Sequence, residues 1–215
     1  MTAVQPAVLD LARQAAEWRL IGLLFEPPSD EWREQVSSLA SEVADEKLKR
    51  AAAAAIEEAG DELYHSIFGP GGPASAREAS YFDNIQLGYL IAELDAHYSA
   101  FAYEAGSVEA PDHLAVEAGF IAYLRLKEAY AQAEGDAEHA DLTREAAQHF
   151  VSEHLARMAP VLQEKLAGSD VEYLMLVSES LFERSGSMKT APHAFPIIQD
   201  LSEAQFECGS ETVQE

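Results

Sequence analysis

Cysteine is almost missing from this chain. Cys208 stands alone in 215 residues, which excludes an internal disulfide and points to a reducing compartment. Lysine is scarce too, at five, and Lys plus Arg reach 14 against 38 Asp plus Glu, a formal net charge of −24. A field of that sign repels phosphate backbones and anionic lipid, so nucleic acid is a poor partner and a basic peptide a good one. A high-salt cytosol is the rival explanation for the same acidity. No run approaches the roughly 20 apolar residues needed to span a bilayer. The N-terminal "MTAVQPAVLDLARQAAEW" offers no basic segment followed by an uninterrupted apolar one, since Asp10 and Arg13 break it. Runs of β-branched residues and repeats of fixed period are also lacking. The expectation is a cytoplasmic protein without stable membrane insertion, long enough for one compact domain.

What is present is helix spacing in almost every informative window, with abundant Ala and Glu, so the chain reads as all-α. Val8, Leu11, Ala15, Trp18, Leu23 and Phe25 predict a first helix over about 6–26, closed by Pro27-Pro28. Ser29 or Asp30 caps a second, with Trp32, Val36, Leu39 and Val43 on one face. "EKLKRAAAAAIEEAG" is a strong helix former whose alanine face packs close to a neighbour or lies near the surface. After "DELYHSIFG", three glycines and two prolines in Gly69–Pro73 mark a loop. A long helix is expected over about 83–105, carrying Ile85, Leu90, Leu94, His97 and Tyr98. Another, over about 111–134, has Pro111 at its first position and is apolar nearly all round, leaving a narrow stripe with Glu117, Arg125 and Glu128; it belongs in the middle of a bundle. Two more follow near 138–167, with a kink or break at Pro160, and near 170–185. The domain is expected to occupy residues 1–186, and 187–215 to form a partly ordered tail.

The chemistry-bearing residues are sparse. A di-iron bundle needs two Glu-x-x-His pairs with two further glutamates, and only Glu62–His65 fits. A phosphate loop is missing, because "GPGGPAS" has no lysine, and Cys208 has no activating partner. The informative stretch is "EAPDHLAVEAGFIAYL". Asp112 suits the first turn of a helix, where free amides favour a carboxylate. The same dipole end disfavours imidazolium, so capping gives no reason for His113. Glu117 shares its face and Glu109 lies just before the helix. Glu109, Asp112, His113 and Glu117 thus form either an acidic, partly desolvated rim for guanidinium groups or a buried network tying loop to bundle. Spacing alone leaves the two even.

"PDHLAVEAGFIAYLRLKEAYA" resembles the signature of the TorD/DmsD/NarJ superfamily of chaperones for molybdenum enzymes, approximately E-x-P-D-H-[LI]-x-x-E-L-x-F-[ML]-x-x-L. "ELYHSIFGPGGPASAREASYF", "LGYLIAELDAHYSAFAYEAG" and "HFVSEHLARMAPVLQEKL" are similar to its Phe-Gly turn and Ser-x-Tyr-like loop, its preceding helix, and its late His-Leu-x-x-x-x-Pro helix. The likeness covers about 60–168. Ala118 stands where leucine is usual and Met158 where tryptophan is frequent, both core-type changes. The "LKEAYA" and "ELDAHYSAF" stretches are closer to the NarJ-like and type II dimethyl sulfoxide reductase branch.

The resemblance implies a single helical bundle of the TorD-like type and a non-enzymatic assembly factor without cofactor or metal. Such a factor binds the catalytic subunit of a molybdopterin oxidoreductase, often at its twin-arginine signal peptide, and holds it until the cofactor is inserted. The chain has no Arg-Arg pair of its own, as expected of a chaperone rather than an exported client. By residue match Asp112 and His113 are the peptide-contacting candidates; spacing adds Glu109 and Glu117, and the loop adds Tyr81. Monomer and homodimer are both compatible. The alternatives are a metal-dependent helical-bundle enzyme using Glu62, His65, His97 and His113, and a regulator that dimerises through its helices.

Overall fold

The computed structural model describes residues 5–82 and 86–186. Among them are nine α-helices: α1 (Pro6–Leu24), α2 (Asp30–Glu42), α3 (Glu46–Glu58), α4 (Asp61–Phe68), α5 (Leu87–Ala100), α6 (Leu114–Glu134), α7 (Ala137–Phe150), α8 (Ala156–Ala167) and α9 (Glu172–Ser185). A 3₁₀ turn at Glu78–Tyr81 and a π-helical turn at Val151–Leu155 complete the elements. The all-α reading is right. Ile85 and the C-terminal stretch from 187, with Cys208, lie outside the described residues.

The centre is the pair α1 and α6, which pack along their lengths. Each is apolar on most sides. Thirteen residues of α6 are buried, and α1 buries Leu11, Ala15, Trp18 and the continuous run Leu20–Leu24. The two backbones come close because Gly22 has no side chain: a Cβ there would sit 3.0 Å from the Ala115 carbonyl oxygen. α7 covers α6 from the other side, while α3 and α8 pack on α9. The alanine face of α3 is buried (Ala51, Ala52 and Ala55), so close packing against its neighbours is what the alanines permit.

Local chemistry sets the helix ends. Pro6 takes the first position of α1, and Pro27-Pro28 prevents its continuation. Ser29 Oγ accepts from Trp32 N–H at 3.2 Å, and Asp45 accepts from Lys47 and Leu48 N–H at 2.7 and 3.2 Å. Arg33 donates to the Ile56 and Ala59 carbonyls, satisfying the end of α3, and Trp32 Nε1 donates to the Leu23 carbonyl at 2.6 Å. Arg184 joins Glu17 (3.0 Å) and Asp45 (2.7 Å), tying α9 to α1 and to the start of α3.

Three expectations need correction. α6 begins at Leu114, not near 111, so Pro111 precedes the helix. The irregularity expected at Pro160 lies upstream: α8 runs through Pro160, and the widened turn at Val151–Leu155 ends one residue before Ala156, whose carbonyl the proline ring crowds. The polar stripe of α6 is not its solvent face. Glu117 and Glu128 are buried, whereas Leu126 and Tyr130 are 52% and 70% exposed. Arg125 and Arg144 neutralise Glu128 at 2.8 and 3.6 Å beneath α7, so the charges are consumed inside.

No described helix is long and apolar enough to cross a membrane. The orientation of α6 can be checked with two neighbours in sequence. Leu124 is fully buried and Leu126 is exposed. In urea denaturation Leu124→Ala is expected to lose about 2–5 kcal/mol, and Leu126→Ala about 0.5 kcal/mol or less.

Candidate functional site

The loop after α4 folds back onto the start of α6. The turn is possible because residues 69–72 are mostly glycine; a Cβ on Gly72 would overlap the Ile67 carbonyl. The segment then pairs with the residues before α6 through a single bridge, Arg77 to His113: Glu78 N–H donates to the Asp112 carbonyl and Leu114 N–H to the Ala76 carbonyl, both at 2.8 Å. Tyr98 Oη donates to the Pro111 carbonyl at 2.8 Å, pinning the approach from α5. Tyr81 donates to the Ser75 carbonyl at 2.6 Å and accepts from Ser75 N–H at 3.2 Å, closing the loop on itself.

Asp112 is completely buried and carries the junction. Arg77 Nε donates to its Oδ1 at 2.6 Å, Arg77 Nη2 makes a second contact to the same oxygen, and Ala79 N–H reaches Oδ2 at 3.4 Å. A buried carboxylate needs such partners, and charge-assisted bonds are the strong ones. The Arg77 side chain remains 39% exposed.

His113 is the N-cap of α6, which corrects the expectation that capping gives a histidine no purpose there. A neutral imidazole has a lone pair, and Nδ1 accepts from Ala115 N–H at 3.1 Å. Burial pushes its pKa down to about 4, with the Arg77 charge adding to the shift and Asp112 opposing it. The ring proton is then on Nε2, which faces Tyr64 Oη at 3.4 Å and Glu109 Oε2 at 3.9 Å.

Glu117, one turn on, is also fully buried, and neither of its oxygens meets a donor among the described residues. Burial drives its carboxyl well above the usual range, and the adjacent Glu78 and Asp112 carboxylates add to this against the pull of Arg77. Glu117 therefore holds a proton. Glu78, itself buried, accepts from His154 Nδ1 with both oxygens at 3.1 Å.

The exposed acidic rim is thus not the arrangement of these side chains. Asp112, His113 and Glu117 form the buried network, while Tyr81 within the loop and Glu109, with 27% of its side chain exposed, are half-buried. Arg77 and Glu78 escaped the sequence reading, since nothing periodic marks a loop residue that pairs 35 positions away. His154 lay within the quoted "HFVSEHL", so it had a signal but no assigned role.

The opposite face of the same helix start is open. Ala115, Gly119, Ala122 and Leu126 of α6, with Leu9, Ala12 and Ala16 of α1, line an apolar groove of about 660 Å³. Leu39 and Glu42 of α2, Tyr103, Gly106 and Ser107 of the α5–α6 connection, and Arg13 and Arg19 of α1 also line it, the two arginines paired with Asp10 (3.3 Å) and Glu26 (3.0 Å). One acid, Glu42, is in its lining, and Glu104 and Glu109 belong to the same connection as Gly106 and Ser107. The quartet Glu62, His65, His97 and His113 does not converge, since His113 faces Tyr64 while the ring of His97 neighbours those of His149 and His154.

A family model described as nitrate reductase delta subunit matches residues 27–164, more than half the chain. The chain belongs to that family. Its members are maturation chaperones for molybdoenzymes, which fits an assembly role. No curated protein sequence matches the chain. The matched stretch contains the loop, the start of α6 and His154, and leaves out α1 and α9.

The network makes stability depend on pH in two opposing ways. Glu117 is protonated in the folded state, so its contribution is complete below its unfolded value near 4.5 and is lost as pH rises. Glu117→Gln is expected to match the wild type near pH 4.5 and to become the more stable above it, by up to about 1.4 kcal/mol per pH unit in urea titrations. His113 has a depressed value, so its contribution is complete above about 6.5 and is lost as pH falls towards about 4. His113→Asn, which keeps an N-cap acceptor without titrating there, is expected to remove up to about 3 kcal/mol of acid sensitivity over that window.

Proposed function

We propose that this protein is a cytoplasmic chaperone that holds the unfinished catalytic subunit of a molybdopterin-dependent oxidoreductase through the basic, apolar signal segment of that subunit. The observation that carries the reading is the apolar groove between α1 and α6, with Glu42 in its lining and its two arginines, Arg13 and Arg19, already paired with Asp10 and Glu26. A twin-arginine segment is cationic at its start and greasy after it. An apolar trough on a chain of net charge −24 complements both halves. Delaying export until the cofactor is in place requires this kind of reversible grip and no turnover.

In this reading the five sequence candidates divide by depth. Glu109 receives arginine at the surface. Asp112, His113 and Glu117 fix the helix start and the connection that carries Glu109, and Tyr81 keeps the Arg77 loop closed. The network is therefore the mount of the binding face.

Fluorescence anisotropy with a labelled twin-arginine peptide tests this. Binding is expected to be saturable and to weaken between 50 and 500 mM salt. Leu126→Glu is expected to weaken it at least tenfold, while Leu142→Glu, an equally exposed site on α7, leaves it unchanged. Glu109→Gln is expected to reduce affinity and its salt dependence without changing Tm; Asp112→Asn lowers Tm as well, because a buried charge-assisted bond is worth about 1.5–3 kcal/mol. Peptide affinity indifferent to both Leu126→Glu and Glu109→Gln would remove the groove from the mechanism.

A further inference from the structure

A second constellation lies where α5 meets the π-helical turn, away from the groove. Glu93 and His97 stand four residues apart on α5 and so share a face. His154 comes from the π turn. One potential ligand atom from each of the three lies within 4.8 Å of the others.

His154 supplies the independent observation. It is 2% exposed, its Nδ1 is held by both oxygens of Glu78, and its Nε2 meets no partner among the described residues. A buried imidazole nitrogen without a partner is uncommon and calls for one. A histidine whose one nitrogen is fixed by a buried carboxylate, with the other left bare, has the arrangement found behind metal-bound histidines. The π turn that presents it is a rare element that recurs at functional positions.

We propose that Glu93, His97 and His154 form a binding site for one divalent transition ion of the zinc class. The donor set decides the class: two imidazoles with one carboxylate suit Zn²⁺ or Co²⁺, whereas Mg²⁺ and Ca²⁺ take oxygen ligands. Burial, together with the neighbouring His154 and His149, keeps His97 below its ordinary pKa despite Glu93, so it is neutral and available as a ligand. Three protein ligands leave a fourth position for water or for His149, whose ring centre is 6.1 Å from that of His97. Bound there, the ion ties α5 to the π turn, and through His154 and Glu78 it stiffens the loop that clamps Asp112. The inference is independent of the peptide reading, because none of the three ligands lines the groove.

The test uses the full chain, stripped with chelator and dialysed into 0.5 M NaCl, where non-specific attraction of cations to the acidic surface is screened. Titration with Co²⁺, followed by its visible absorption, and calorimetry with Zn²⁺ are expected to show one ion per chain. Glu93→Gln, at an exposed position, and His97→Ala are each expected to weaken binding at least tenfold with the helical circular-dichroism spectrum retained. Glu78→Gln is expected to weaken it about tenfold or more by releasing the His154 ring. Zn²⁺ is expected to raise the Tm of the wild type and not of the Glu93→Gln, His97→Ala double variant. Equal affinity in the wild type and the double variant, or uptake that vanishes in salt, overturns the site.

Discussion

A carboxylate withdrawn from water has to be met by fixed donors, and at Asp112 that requirement organises one end of the molecule. Arg77 and the Ala79 amide answer it from a loop 35 residues earlier in the chain. Once that clamp is made, the short bridge between Arg77 and His113 sets the register, His113 caps α6, and Glu78 is carried beneath His154 and against Glu117. Replacing Arg77 would leave the fully buried Asp112 carboxylate without its cation, a far larger penalty than losing a surface ion pair. The network also fixes proton positions: a neutral imidazole at the helix start and a protonated carboxyl one turn later keep buried charge to what Arg77 and the nearby amides can balance.

Much of the fold was legible because burial imposes a period. Trp32 and Val36 on α2, the apolar girth of α6, and the Ser29 cap are each dictated by a few neighbouring residues. What failed had a different physical origin. Glu117, Arg125 and Glu128 form a stripe of charge that would normally lie in water; here Glu117 is buried without a donor among the described residues, and Glu128 is met by Arg125 of its own helix and by Arg144 of α7. His113 was misjudged by treating histidine as a cation, whereas its environment makes it an acceptor. The membership of the site was partly visible, since Asp112, His113 and Glu117 do act together, but their depth was not. Arg77 and Glu78 lie in a loop whose local pattern says nothing of what it will meet.

The two faces of the start of α6 have different tasks. His113 and Glu117 point into the network, while Ala115 and Gly119 open onto the groove. A single stretch of sequence therefore both anchors the loop and shapes the apolar trough. The small residues of α6, Ala115, Gly119 and Ala122, leave room in the groove that larger ones would fill.

The groove has two long walls of unequal standing. One belongs to α6, inside the stretch shared with the nitrate reductase delta subunit family, and the other to α1, outside it. Leu9, Ala12 and Ala16 are remote from the Arg77–Asp112 clamp, so their bulk can change without disturbing what keeps the bundle in register. The bulk of the first helix therefore sets the width of the groove without touching the contact that holds α6 to its loop.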